Sequence, residues 1–142
     1  MTATKAYLEP SREAAAALFS RDVKGEVVML NLLRFRDTAD YSASPELAPA
    51  EPISGWEAYR RYMAHTEPFL EDRGGEVVLV GEGGEYFIGP PDERWDMVLL
   101  VRQQSLQDFL AFATDEGYLA GIGHRTAALE DSRLLPIFDV RN

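Results

Sequence analysis

The apolar positions of this chain fall into runs with two different periods. Val27-Val28-Met29-Leu30-Asn31-Leu32-Leu33-Arg34-Phe35-Arg36 is rich in β-branched and long apolar side chains and reads as a strand. Trp56, Tyr59, Met63, Thr66 and Leu70 recur at i, i+3, i+4 spacing, which predicts a long helix from about Gly55 to Arg73. Gly74-Gly75 should end it with a left-handed cap. Pro68, inside the pattern, should kink the helix or mark a restart. Upstream, Ser11 can cap a short helix running to about Ser20, with Glu13 in its first turn. Downstream, Glu76 to Val80 reads as a second strand and Gly81-Glu82-Gly83-Gly84 as a turn. Glu85-Tyr86-Phe87-Ile88 then folds back as a small hairpin arm, and Gly89-Pro90-Pro91-Asp92 is a second break. Trp95 to Arg102 is the third strand. Ser105 with Asp108 opens a helix in capping-box style, and Leu106, Phe109, Leu110 and Ala113 form its apolar stripe. Asp115 caps a further helix holding Tyr118, Ile122, Arg125 and Leu129, and Leu134 to Val140 is the last strand.

This order predicts an α+β fold: one ferredoxin-like βαββαβ domain over residues 1–142, with an extra N-terminal helix. Residues 37–55 interrupt it. Pro45, Pro49 and Pro52 sit there among Ala, Ser, Asp and Glu, in a connection far longer than the usual ~4–6 residues. It reads either as a functional lid or as a mobile segment. The strands carry a second signal. A sheet with one solvated face alternates apolar and polar residues. Here Val27, Met29 and Leu33 oppose Val28, Leu30 and Leu32, and Met97, Leu99 and Val101 oppose Val98 and Leu100. Both faces call for burial, yet the helices of such a unit cover only one. A second copy of the same sheet is the simplest cover, because symmetric pairing is the commonest assembly. The competing reading wraps the extra helices and the long loop over that face within one chain.

Composition narrows the function classes. At 142 residues and 46% apolar content, the chain can build a core without disulfide or metal staples. It has no cysteine, which excludes disulfides, thiolate nucleophiles, iron–sulfur clusters and cysteine zinc sites. The net charge of -10 argues against nucleic acid and against an anionic membrane as partners. No stretch is apolar enough to span a bilayer, and Ala14 to Phe19 is flanked by charges, so no signal peptide is read. The expected location is cytoplasmic.

Three segments carry a family likeness. Tyr62-Met63-Ala64-His65-Thr66-Glu67-Pro68-Phe69-Leu70, followed by Gly74-Gly75-Glu76-Val77, resembles the central segment of the bacterial family called domain of unknown function 1330. Arg94-Trp95-Asp96-Met97-Val98-Leu99-Leu100-Val101, then Ser105 and Phe109, resembles its next strand and helix start. Tyr118 and His124-Arg125-Thr126-Ala127-Ala128-Leu129-Glu130-Asp131-Ser132 resemble its C-terminal helix. The likeness covers roughly residues 27–138. It implies a dimeric α+β barrel, in which two ferredoxin-like sheets face each other, and no established reaction. Related families on that architecture include cofactor-free oxygenases, haem-degrading oxygenases and lactone isomerases.

The candidate functional residues are polar groups set in apolar surroundings. Asn31, mid-strand, either satisfies its amide on a neighbour or orients a ligand. Arg34 and Arg36 lie on the opposite face; an arginine at a rim can hold a carboxylate bidentately or pair with an acid of the protein. His65, beside Tyr62 and Phe69, has the pKa range for proton transfer but no accompanying nucleophile pattern. Asp96, next to Trp95, would need a cationic partner if buried, with Arg34 and Arg125 as candidates. His124 and Arg125 are adjacent and so point about 100° apart on a helix. Asp131 and Ser132 read as a helix-to-strand turn. The candidate catalytic set is therefore His65, Asp96 and His124, and the candidate ligand-binding set is Asn31, Arg34, Tyr62, Trp95 and Arg125. Two histidines far apart do not make a metal site, and no cofactor is evident. Three functions compete. The first is a small-molecule site, enzymatic without a tightly bound cofactor (oxygenase- or isomerase-like by the resemblance). The second is a non-catalytic dimer that binds a ligand or partner. The third is a haem-dependent oxygenase with His65 or His124 as axial ligand.

Overall fold

The computed structural model describes residues 5–141. Helix α1 (Arg12–Phe19) precedes strand β1 (Val27–Phe35), helix α2 (Gly55–Asp72), strands β2 (Glu76–Glu85) and β3 (Arg94–Gln103), helices α3 (Leu106–Ala113), α4 (Glu116–Leu119) and α5 (Ile122–Ala128), and strand β4 (Leu129–Ile137). The four strands make one sheet of order β2-β3-β1-β4, with every neighbouring pair antiparallel. With α2 linking β1 to β2 and α3 to α5 linking β3 to β4, this is a ferredoxin-like α+β fold.

The helix boundaries follow local chemistry. The hydroxyls of Ser11, Ser54 and Ser105 accept from the amides of Ala14, Glu57 and Asp108, capping α1, α2 and α3. Gly74, at φ 74°, closes α2 in the left-handed region. Pro68 lies inside α2, which runs on as one helix.

Three sequence expectations change. Gly81-Glu82-Gly83-Gly84 is not a turn: β2 continues through it to Glu85, and the β2–β3 hairpin turns at residues 86–93 instead. Glycine suits this stretch because the backbones approach closely, and a Cβ on Gly83 would lie 2.3 Å from the Trp95 carbonyl oxygen. Asp115 caps only the short α4; the chain breaks at Ala120-Gly121 before α5. The last strand begins at Leu129, five residues before the expected start, so Asp131 and Ser132 sit in β4.

The two faces of the sheet differ. Val27, Met29, Leu33, Met97 and Leu99 are buried. Together they pack against apolar side chains from all five helices: Leu18, Tyr59, Leu106, Phe112, Tyr118 and Ala128. The other face carries Val28, Leu30 and Leu32 of β1 beside Val98 and Leu100 of β3, with Leu135 and Ile137 opposite Leu30 and Val28 on β4 and Leu79 opposite Leu100 on β2. Its central residues are only partly buried, and Leu135 is 59% exposed. The long 37–55 segment does not reach it. Hydrogen bonds from Arg36 N to Ala128 O and from Asp40 N to Ala127 O hold that segment along α5, and Ser44 and Leu47 lie against Gly123.

Candidate functional site

The candidate residues separate into three places. Asn31 lies on the helix-facing side, where its amide donates to the carbonyls of Met29 at 3.3 Å and Leu99 at 3.2 Å. The sheet itself satisfies it.

Tyr62, His65, His124 and Arg125 belong to the helical layer. The Tyr62 and Tyr118 hydroxyls share a hydrogen bond of 2.7 Å beneath Tyr59 and Phe112. Burial, followed by the neighbouring Tyr62, raises the Tyr118 phenol well above its ordinary range. The Nε2 of His65 donates to the Gly117 carbonyl at 2.7 Å, and the ring fills the space a side chain on Gly121 would need. The Nδ1 of His124 meets the Tyr41 hydroxyl at 2.7 Å, tying the 37–55 segment to α5. Burial, then the positive Arg61 and the neighbouring His65, lowers the His124 pKa. Arg125 donates to the Leu8 carbonyl and to the Ser132 hydroxyl. Each group thus has at least one polar atom engaged by the fold, and each histidine keeps its second ring nitrogen, Nδ1 of His65 and Nε2 of His124, outside these bonds. None of the candidates lines the groove of about 340 Å³ between α2 and β2 or the one of about 390 Å³ beside α1 and α3. The Nε2 of His65, engaged by the Gly117 carbonyl, is not available to a haem iron, and neither of these grooves reaches either ring. Among the described residues no cluster of three His, Asp or Glu side chains is arranged to hold a metal.

Arg34, Trp95 and Asp96 do come together, at the end of the sheet where β1 and β2 finish and β3 and β4 begin. Asp96 accepts from the Phe35 amide at 2.8 Å and from the Arg94 guanidinium at 2.7 Å, closing the end of the β1–β3 ladder. Its cation is Arg94, neither of the two expected. The guanidinium of Arg34 donates twice to the Arg94 carbonyl, at 3.0 and 2.9 Å, and lies 4.7 Å over the Trp95 ring. The indole N–H of Trp95 donates to the Tyr86 hydroxyl at 2.9 Å, and that hydroxyl donates to Glu93 at 2.7 Å. Glu93 holds the Tyr86 phenol above its ordinary range by accepting its proton's hydrogen bond.

Sequence reasoning missed the other half of this cluster. Asp131, 3% exposed, stands opposite Arg34 in the β1–β4 register, so both side chains point to the open face. It accepts from the Tyr7 amide at 2.8 Å, from Arg133 at 2.8 Å and from the Ser132 amide at 2.9 Å, with Arg34 at 3.9 Å. Burial alone would raise its pKa; the Tyr7 amide, Arg133 and the Ser132 amide together outweigh that and hold the carboxyl below the usual range. Arg133 lies between the Tyr7 ring, at 4.7 Å, and the Trp95 ring, at 5.1 Å. The spacing Asp131-x-Arg133 was a readable sign, because residues two apart share one face of a strand.

The fold and this arrangement define a ferredoxin-like α+β protein. The chain is 33% identical to the RPA0582 protein of unknown function from Rhodopseudomonas palustris, covering 97% of this chain and 100% of that one at a TM-score of 0.83. The methylated form of that protein superposes at a TM-score of 0.86, also at 33% identity and over 97% of this chain and 98% of that one. The chain therefore belongs to the family of the RPA0582 protein. A dimeric ferredoxin-like protein of unknown function from Jannaschia sp. CCS1 shares the fold at a TM-score of 0.52 and 11% identity, over 81% of this chain and all of that one. No family model matches the chain, and no curated protein does. No helix among the described residues is long and apolar enough to cross a membrane.

Proposed function

We propose that this protein works as a homodimer joined through the open faces of its two sheets, and that the pair binds a small organic molecule between them. The observation that carries this reading is the apolar open face, centred on Leu30, Leu32, Val98 and Leu100, with Arg34 and Arg133 at one end. Left in water, such a face wastes the favourable burial of the eight apolar side chains described above, at about 25 cal/mol per Å². A second copy supplies a matching surface, and two guanidiniums at the end of an apolar space suit a ligand with an apolar body and an anionic or carbonyl end. The reading agrees with membership of domain of unknown function 1330 and with a cytoplasmic place. It favours binding over catalysis by His65 or His124, since both rings stand in the helical layer, across the sheet from the open face.

The test joins assembly to ligand. Sedimentation should show a dimer at micromolar concentration, and Leu30→Asp should give a folded monomer. A thermal-shift screen of small carboxylic acids and aromatics should find a stabilising ligand whose effect is lost in Arg34→Gln. A wild-type monomer removes the dimer, and a dimer indifferent to every such compound removes the ligand.

A further inference from the structure

The hairpin connecting β2 to β3 ends in two large apolar side chains that are almost wholly exposed. Phe87 is 101% exposed and Ile88 is 87% exposed. The arm beneath them is nonetheless firmly built. Tyr86, Glu93 and Trp95 are hydrogen-bonded to one another at its root. Gly89 lies flat on the Tyr86 ring, where a Cβ would come within 2.5 Å of that ring, and Pro90-Pro91 stiffen the return. A rigid arm loses little conformational freedom when its tip is captured, so exposed apolar groups on it are well prepared for an interface.

We propose that residues 86–93 form a clasp whose tip, Phe87 and Ile88, docks on a second copy of this chain. This rests on the sheet-paired homodimer above and extends it. Two observations select that occupant. First, the arm is continuous with the open face: its root residue Trp95 is stacked under Arg34 and Arg133, which stand at the end of that face. Second, the face alone is small. Its five central apolar side chains are already half-buried, and only Leu79, Leu135 and Ile137 among its apolar residues are exposed, so much of their accessible surface is gone before any partner arrives. A stable interface buries about 800 Å² on each partner. The two arms of a two-fold pair add the missing area twice over, once from each subunit, because an isologous contact is always made in duplicate.

The experiment compares the full chain, Phe87→Ser/Ile88→Ser and Leu30→Asp by sedimentation velocity over a concentration series, with circular dichroism as the check on folding. The double variant should keep the wild-type spectrum and raise the dimer dissociation constant about a hundredfold or more, since four exposed apolar side chains leave the interface of each dimer. A photo-crosslinking p-benzoylphenylalanine at position 87 should join two copies of the chain. An unchanged dissociation constant, with Leu30→Asp monomeric, overturns the clasp and leaves the paired sheet standing. A dimer lost in the double variant but kept in Leu30→Asp supports the clasp and overturns pairing through the sheet. A monomeric wild type overturns both.

Discussion

Replacing Asp131 by Ala should cost this fold about 3 kcal/mol, far more than its position on a sheet face that looks solvent-directed would suggest. The carboxylate receives the Tyr7 amide, the Ser132 amide and Arg133, all within 2.9 Å. A hydrogen bond to a charged group contributes about 1.5–3 kcal/mol when buried, but the three do not count alike. The Arg133 side chain is 41% exposed, so its pair is discounted to at most about 1 kcal/mol. The Ser132 amide lies next to the carboxylate in the chain and finds it without long-range order. The Tyr7 contact is the costly one, because it holds a segment 124 residues away against β4. Loss of that bond, together with desolvated donors left without an acceptor, gives the total of about 3 kcal/mol. Asp131→Asn keeps an acceptor for the Tyr7 amide and should cost roughly half as much. The pH dependence separates charge from packing. The folded pKa lies below the unfolded value, so this stabilisation is present above about pH 4 and is lost as pH falls through the folded pKa. Urea unfolding at pH 7, with an m-value of about 2 kcal/mol/M for a chain of this size, should show a midpoint about 1.5 M lower for Asp131→Ala. A shift below about 0.3 M, or an acid limb unchanged in Asp131→Asn, would refute the account.

Two further predictions follow from the helical layer and the edge strand. Gly83→Ala should destabilise by about 2 kcal/mol, because its Cβ must displace the β3 backbone at Trp95, whereas Gly81→Ala meets only ordinary contacts at 3.8 Å and should be neutral or mildly stabilising; paired urea melts decide it, and equal effects would contradict the continuous β2. Stability should also fall as pH drops below about 6.5, since burial, Arg61 and His65 disfavour the charged form of His124 in the folded state and the unfolded chain then binds the extra proton; His124→Gln should flatten that slope, and a wild-type curve level from pH 7.5 to 5.5 would count against it.

The architecture was legible because its signals are local. Ser11 and Ser105 cap where an N-cap residue must stand. Gly74 turns where a left-handed cap is needed, and of the expected stripe Tyr59, Thr66 and Leu70 are buried, while Met63 is half-buried, Trp56 is exposed and Tyr62 takes a core place instead. The errors arose where tertiary contact overrode local preference. Glycines usually punctuate, yet Gly83 sits mid-strand because β3 comes too close for a side chain. Asp131-Ser132 has turn composition, yet β1 recruits it into β4 through the partners Arg34 and Leu33. That single misplacement hid the polar cluster. Arg34 and Trp95 were visible as unusual residues in an apolar strand, but Asp131, Arg133 and Tyr7 reach them only through β4's register and an N-terminal segment that no periodicity announces.

The composition of that cluster bears on what it does. Arg34, Arg94 and Arg133 face Glu93, Asp96 and Asp131, three cations against three anions, in a chain whose net charge is -10. A balanced network has no net attraction for a distant ion, so it is poorly suited to steering a charged ligand from solution. It is well suited to fixing geometry. Each guanidinium is held by a carboxylate or a carbonyl, and two of them are also stacked on Trp95, so their remaining donors point in set directions. Charged groups placed this way contribute register and selectivity more than raw affinity. At the end of an apolar sheet face they would define which way the second sheet of the proposed pair can lie, because a partner shifted by one strand would set apolar side chains against guanidiniums and leave their donors unmatched. In the proposed pair the apolar centre would supply the drive for association and the polar end its orientation, which is why disabling Leu30 should abolish pairing while disabling Arg34 should leave pairing intact and alter what the pair can hold.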